Sequence, residues 1–151
     1  MLNTTPIAAP AAPQANATTL AAWVGELDPN QGTELCAIDA VNGLVVNGGK
    51  FSVSANQPAL FEGWASTRDL RAPGRISLVL DGAADFQVTG MTGGSRDDVA
   101  QAYGNAGLKT SGYRLELPNL AIPPGEYRIL VTHTEDGVVV PCDTKQSLVA
   151  N

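Results

Sequence analysis

Tyr113-Arg114-Leu115-Glu116-Leu117 and, ten residues on, Tyr127-Arg128-Ile129-Leu130-Val131-Thr132-His133-Thr134 decide the fold. In the first stretch apolar and charged residues alternate strictly, so Tyr113, Leu115 and Leu117 share one face of an extended chain. In the second, Tyr127, Ile129 and Val131 face one side and Arg128 and Thr132 the other. A period of two describes a half-buried β-strand and cannot be laid on a helix. Pro123-Pro124-Gly125 separates the two runs and supplies the break that a turn needs.

The same grammar extends in both directions. Leu35 to Val41 reads as a strand ended by Asn42-Gly43, and Leu44 to Val46 as a short run ended by Asn47-Gly48-Gly49. Phe51-Ser52-Val53-Ser54 alternates, Leu60 to Ala65 follows, and Arg75 to Leu80 is closed by Asp81-Gly82. Phe86-Gln87-Val88-Thr89 alternates again, and Val138 to Val140 and Ser147 to Val149 complete the set. About seven to nine short strands with turn residues at this spacing predict an all-β sandwich or barrel with antiparallel strands. One short helix is expected near residues 95–103: Ser95 as N-cap, Asp98 as the capping-box acid, Val99, Ala102 and Tyr103 at helical spacing, and Gly104 as the stop.

Length and composition set the frame. With 151 residues the chain has room for one domain that buries roughly 68–70% of its unfolded surface. Two Trp, three Tyr and three Phe leave most of the packing to aliphatic residues. A net charge of −6, with nine Lys and Arg and no basic run, argues against nucleic acid and against an anionic membrane surface as partners. No stretch approaches the ~20 apolar residues of a membrane span, so membrane insertion is not expected. Residues 1–19, rich in Ala, Pro, Thr and Asn and without charge, read as a tail or linker, and residues 20–151 as the folded domain. The tail lacks the basic start of a signal peptide, and Pro6, Pro10 and Pro13 interrupt its apolar residues. Ile7-Ala8-Ala9 offers an alternative use, a strand added to a neighbour's sheet. The sequons at Asn3 and Asn16 are of a kind that arises by chance in such a composition.

Cys36 and Cys142 bracket nearly the whole domain and form no CxxC motif. They are either a disulfide between the first and last core strands or two separate buried thiols. The disulfide would close a loop worth about 4–5 kcal/mol in the chain-entropy picture and would place the protein outside the cytoplasm.

Phe61-Glu62-Gly63-Trp64-Ala65, Ile76-Ser77-Leu78-Val79-Leu80-Asp81-Gly82, Ser95-Arg96-Asp97-Asp98-Val99-Ala100 with Tyr103-Gly104, Gly112-Tyr113, and Pro124-Gly125-Glu126-Tyr127-Arg128-Ile129 form a series. It resembles the immunoglobulin-like (fibronectin-III-like) β-sandwich modules of bacterial envelope proteins, including modules appended to membrane-bound glycan-handling enzymes. The resemblance covers roughly residues 50–134 and implies a sandwich fold and a location outside the cytoplasm. It transfers no catalytic set. Cys36 and Cys142 are too far apart for the antibody-type disulfide packed on a Trp.

Candidate chemistry is sparse. His133, the only histidine, has no nucleophile motif beside it and reads as a strand residue with a satisfied ring. Asp81 with Asp85, and Asp97 with Asp98, are the carboxylate pairs that suit Ca²⁺ or glycoside chemistry, but they equally suit a hairpin end and a helix N-terminus. Gly90-Met91-Thr92-Gly93-Gly94-Ser95 reads as a flexible loop rather than a phosphate cradle, and Arg96 beside Asp97 either contacts a ligand or forms a solvated surface pair. Trp23, Trp64 and Tyr103 are the residues able to stack on sugars, with Trp64 expected in the core. No catalytic, cofactor or metal residues are therefore expected. The expected role is that of a non-enzymatic extracytoplasmic module for adhesion, assembly or support, with a protein or glycan partner and with homo-oligomers allowed. The alternative is a carbohydrate-binding module serving a glycan-processing protein.

Overall fold

A computed structural model describes residues 18–45 and 49–151. The expected tail over 1–19 lies outside these residues except for Thr18 and Thr19. Val46, the end of the Leu44–Val46 run, and the turn residues Asn47 and Gly48 also lie outside them.

The described residues are mostly β, a nine-stranded mixed sheet that closes nearly into a barrel. Thr19–Ala22 forms β1, Cys36–Val41 β2, Lys50–Val53 β3, Ala59–Ala65 β4 and Arg75–Asp81 β5. Asp85–Gly94 forms β6, Gly112–Leu117 β7, Gly125–Glu135 β8 and Val138–Ala150 β9. One α-helix, α1, covers Asp97–Tyr103, and two 3₁₀ turns cover Pro29–Gln31 and Ala106–Leu108.

Two hydrogen-bonded groups of strands share β6. One runs β2-β4-β7 and reaches β6 at Thr92 and Gly94. The other runs from β6 through β5, β8 and β9 to β3, with β6 paired to β5 from Asp85 to Met91. β1 lies along β6 from Phe86 to Thr89, on the edge that β7 takes up further on. The inward residues of both groups meet in one core built from Phe61, Ile76, Leu78, Leu80, Leu115, Ile129 and Leu148 among others. Tyr113, Leu115 and Leu117, and likewise Tyr127, Ile129 and Val131, are buried there as the alternation requires.

Four local expectations need correction. The strands are not all antiparallel: β3 pairs with β9 in parallel, because the long last strand uses one edge for β8 and leaves the other to a strand running its own way. Val138–Val140 and Ser147–Val149 are parts of one strand. They are separated by a bulge in which Lys145 takes a positive φ of 64° and Asp143 accepts its N–H at 2.9 Å. Leu44 makes only an isolated bridge to Val41, across an Asn42-Gly43 turn with φ of 53° and 76°. The stretch from Gly90 to Gly94 is strand, not loop, since Met91 and Thr92 still bond to Arg75 and Gly74.

The helix also begins differently. Arg96, not Ser95, holds the N-cap position, and no side chain caps the helix there. The Asp98 carboxylate is occupied by the Arg96 guanidinium, at 2.9 Å on both oxygens, so it does not close a capping box. Gly104 ends the helix in the left-handed conformation, φ 64°, as expected.

Candidate functional site

The cysteines are joined. Cys36 on β2 and Cys142 on β9 form a disulfide, with their Cα atoms 6.3 Å apart and a sequence separation of 106. Cys36 belongs to the β2-β4-β7 group and Cys142 to the group containing β8 and β9, so the bond ties the two together near the chain's two ends. Thr33 N–H donates to Pro141 C=O at 2.9 Å immediately beside it.

His133 is buried, 8% exposed, and its Nε2 lies 2.5 Å from Glu135 Oε2. That carboxylate also accepts the Arg68 backbone N–H at 3.0 Å. Burial alone would raise the Glu135 pKa, but these two donors hold it below the ordinary carboxylate range. Arg68 in turn donates to the backbone and side-chain oxygens of Gln31, both at 2.9 Å. The histidine is thus the inner end of a chain of contacts that fastens the β4–β5 connection and the first 3₁₀ turn. Both thiols are consumed in the disulfide, so no cysteine nucleophile pairs with it.

Asp81 and Asp85 face each other across the β5–β6 hairpin. Arg128 donates to Asp81 at 2.9 Å and to Asp143 at 3.4 Å. Partial burial and a hydrogen bond with Asp81 push the Asp85 pKa upward. No cluster of three or more metal-ligating side chains occurs among the described residues.

Arg96 is the best-anchored charge. Its guanidinium grips Asp98 with two bonds and reaches Asp39 on β2 at 2.7 Å, binding α1 to the sheet. The Arg96 hydrogen bonds hold the Asp98 pKa at about 2. A cleft of about 430 Å³ opens beside this fork, bounded by Asp39, Glu62, Arg96 and Arg114. Its floor includes Gly63, where a Cβ would stand 2.1 Å from Ala37 C=O and 2.5 Å from the Tyr113 hydroxyl. Glycine at this position lets Tyr113 donate to Ala37 C=O at 2.9 Å.

The aromatic residues form no row. Trp64 is buried beneath α1 in a small second cluster with Val99, Ala100 and Leu108, rather than in the main core. Tyr103 packs on it with ring centroids 5.6 Å apart and is 41% exposed. Trp23 sits elsewhere, half-buried over Ser77 and Thr132.

Beyond Trp23, the sequence reading did not single out the segment that runs from there to Glu34. It crosses the outer face of β5, β8 and β9 and roofs a cavity of about 460 Å³. Leu27, Pro29 and Thr33 stand on one side of that cavity, and Arg128, Leu130 and Pro141 on the other. The available signal was Trp23 and Leu27 in a segment too short and irregular for a strand. No helix among the described residues is long and apolar enough to cross a membrane. No family model, no curated protein and no solved structure matches the chain.

Proposed function

We propose that the chain is an immunoglobulin-like module, working outside the cytoplasm without enzymatic activity, in adhesion, assembly or structural support. The strand order carries the reading. β2, β4, β7 and the end of β6 follow the order A-B-E-D of one immunoglobulin sheet. β9, β8, β5 and the body of β6 follow G-F-C-C′ of the other. Tyr127 at the start of β8 adds a second mark: its hydroxyl donates to Pro123 C=O, four residues upstream, at 2.6 Å, the bond of a tyrosine corner. The disulfide supports an oxidising location. It departs from the antibody pattern by joining the edge strand β2 to β9, and Trp64 packs in the separate cluster beneath α1. Titration of the unfolded, unreduced protein from its native host should find no reactive thiol. Two thiols per chain would remove the extracytoplasmic reading.

The cleft between Asp39, Glu62 and Arg114 favours a second reading, a carbohydrate-binding module. Carboxylates and guanidinium groups around a glycine floor suit sugar hydroxyls, although the one aromatic residue lining the cleft, Tyr113, is buried with its hydroxyl bonded to Ala37 C=O. Melting temperature measured against a panel of polysaccharides separates the two. A ligand at 100 times its Kd adds about 2.7 kcal/mol, so one responsive glycan class would favour carbohydrate recognition. A flat panel would favour a protein-facing module.

A further inference from the structure

The N-terminal arm is built differently from everything after it. β1 is four residues long, and only Leu20 packs, partly, against the main core. Its other attachments are the ladder to β6, one bond from Trp23 N–H to Asp85 C=O at 3.0 Å, and a long contact from Gln87 to Ala22 C=O. From Asp28 onward the chain is fixed repeatedly: by the 3₁₀ turn, by Arg68 on Gln31, by Thr33 on Pro141 and by the disulfide at Cys36.

Between arm and body, Val24, Gly25 and Glu26 are exposed, Val24 by 91%. The connection is not packed down. One cavity lies where Trp23 meets Ser77 and Thr132, and the larger one lies where Leu27 and Pro29 meet Leu130 and Pro141. Both are open and wide enough to hold water, so the segment spans the sheet there instead of packing flat on it, and lifting it costs little packing.

Beneath the arm lies a strand edge that cannot be left bare. β7 leaves β6 at Thr92, and only β1 satisfies the edge from Phe86 to Thr89. Buried Val88 and half-buried Phe86 stand at this edge, so its open form would expose both apolar surface and unpaired backbone groups. Every folded copy therefore carries a weakly held strand and the one edge whose register it fits, Thr19 on Thr89 through Ala22 on Phe86. We propose that the partner of this edge is a second copy of the chain: β1 of one copy lies on β6 of the other, with Val24–Leu27 as the hinge. This rests on the assembly reading given above and names its partner. The contacts are those already made within one chain, so exchange creates no new interface chemistry and depends on concentration and hinge length.

The test uses the whole chain and no other ligand, so its outcome is independent of whether glycans or host proteins bind. The protein is unfolded without reductant, refolded at concentrations from micromolar to millimolar, and its mass followed by sedimentation. Species at twice 15.6 kDa, or at higher multiples, are expected at the upper end. Deleting Val24–Leu27 prevents the arm from reaching its own β6 and should make the multimer the main species at micromolar concentration. Thr19→Cys with Thr89→Cys places a cysteine pair on the register of β1 with β6, and oxidation of the multimer should join two copies covalently on a non-reducing denaturing gel. A monomer at every concentration in both the intact and the hinge-deleted chain would overturn the proposal. A multimer in which that pair closes only within single copies would also overturn it.

Discussion

The molecule has two cores, and they are held by different means. The main one collects residues from eight strands, with Phe61, Leu78, Leu80 and Ile129 wholly shielded from water. The small one has only Trp64, Val99, Ala100 and Leu108, beneath a seven-residue helix. A helix this short has no stability of its own. It is kept in place by Trp64, by Leu108 and by the Arg96 fork to Asp98 and Asp39. Burial holds the first core cooperatively, while a few contacts and one charge network hold the second. The small core should therefore be able to loosen without the sheet unfolding.

Phe61→Ala should have the largest effect, destabilising the whole domain by about 3–5 kcal/mol in denaturant titration. Replacing both cysteines by alanine should cost about 2–5 kcal/mol, again as one global transition. Leu108→Ala in the small core should cost about 2–3 kcal/mol. Its first sign should be a change in Trp64 fluorescence ahead of the loss of β signal. A single coincident transition would mean that the two cores form one unit. Tyr127→Phe removes one hydrogen bond and should cost about 1 kcal/mol without separating the probes.

The smallest effect concerns pH. Asp98 has its pKa lowered to about 2 in the folded protein from an ordinary 3.8. Its contribution is present above the ordinary value and is lost as pH falls through about 2. Trp64 fluorescence should show the helix loosening over that interval, and Arg96→Met should remove the difference between Asp98 and Asp98→Asn. If Arg96→Met leaves that difference intact, the fork does not hold the helix.

The main core could be read from the sequence because a strand writes its burial into its own neighbours. Tyr113, Leu115 and Leu117 alternate with Arg114 and Glu116, and no distant information is needed. The start of the helix could not be read in the same way. Ser95 and Asp98 have capping chemistry, but Arg96 takes the carboxylate, and its second partner, Asp39, stands 57 residues away. The parallel pairing of β3 with β9 is equally non-local. The cysteine pair was visible as an alternative because its two members bracket the domain. The cleft beside Arg96 and the roof over Leu130 arise only when separate segments meet. That is why the fold was more legible than any binding surface.

The position of the disulfide has a mechanical consequence. A force applied at the two ends of the chain enters at β1 and at the end of β9. It is then carried across the sulfur–sulfur bond instead of along the chain between the cysteines, whose sequence separation is 106. β3 to β8 lie inside that span and cannot be drawn out; β6 carries load only until β1 peels from it, and β8 and β3 only until the end of β9 parts from them. Among the described residues, only the arm, the Trp23–Leu35 segment and the stretch from Asp143 to Asn151 can be drawn out, each residue adding at most about 3.3–3.6 Å. Under tension the domain behaves as a short extensible leash attached to a rigid bead.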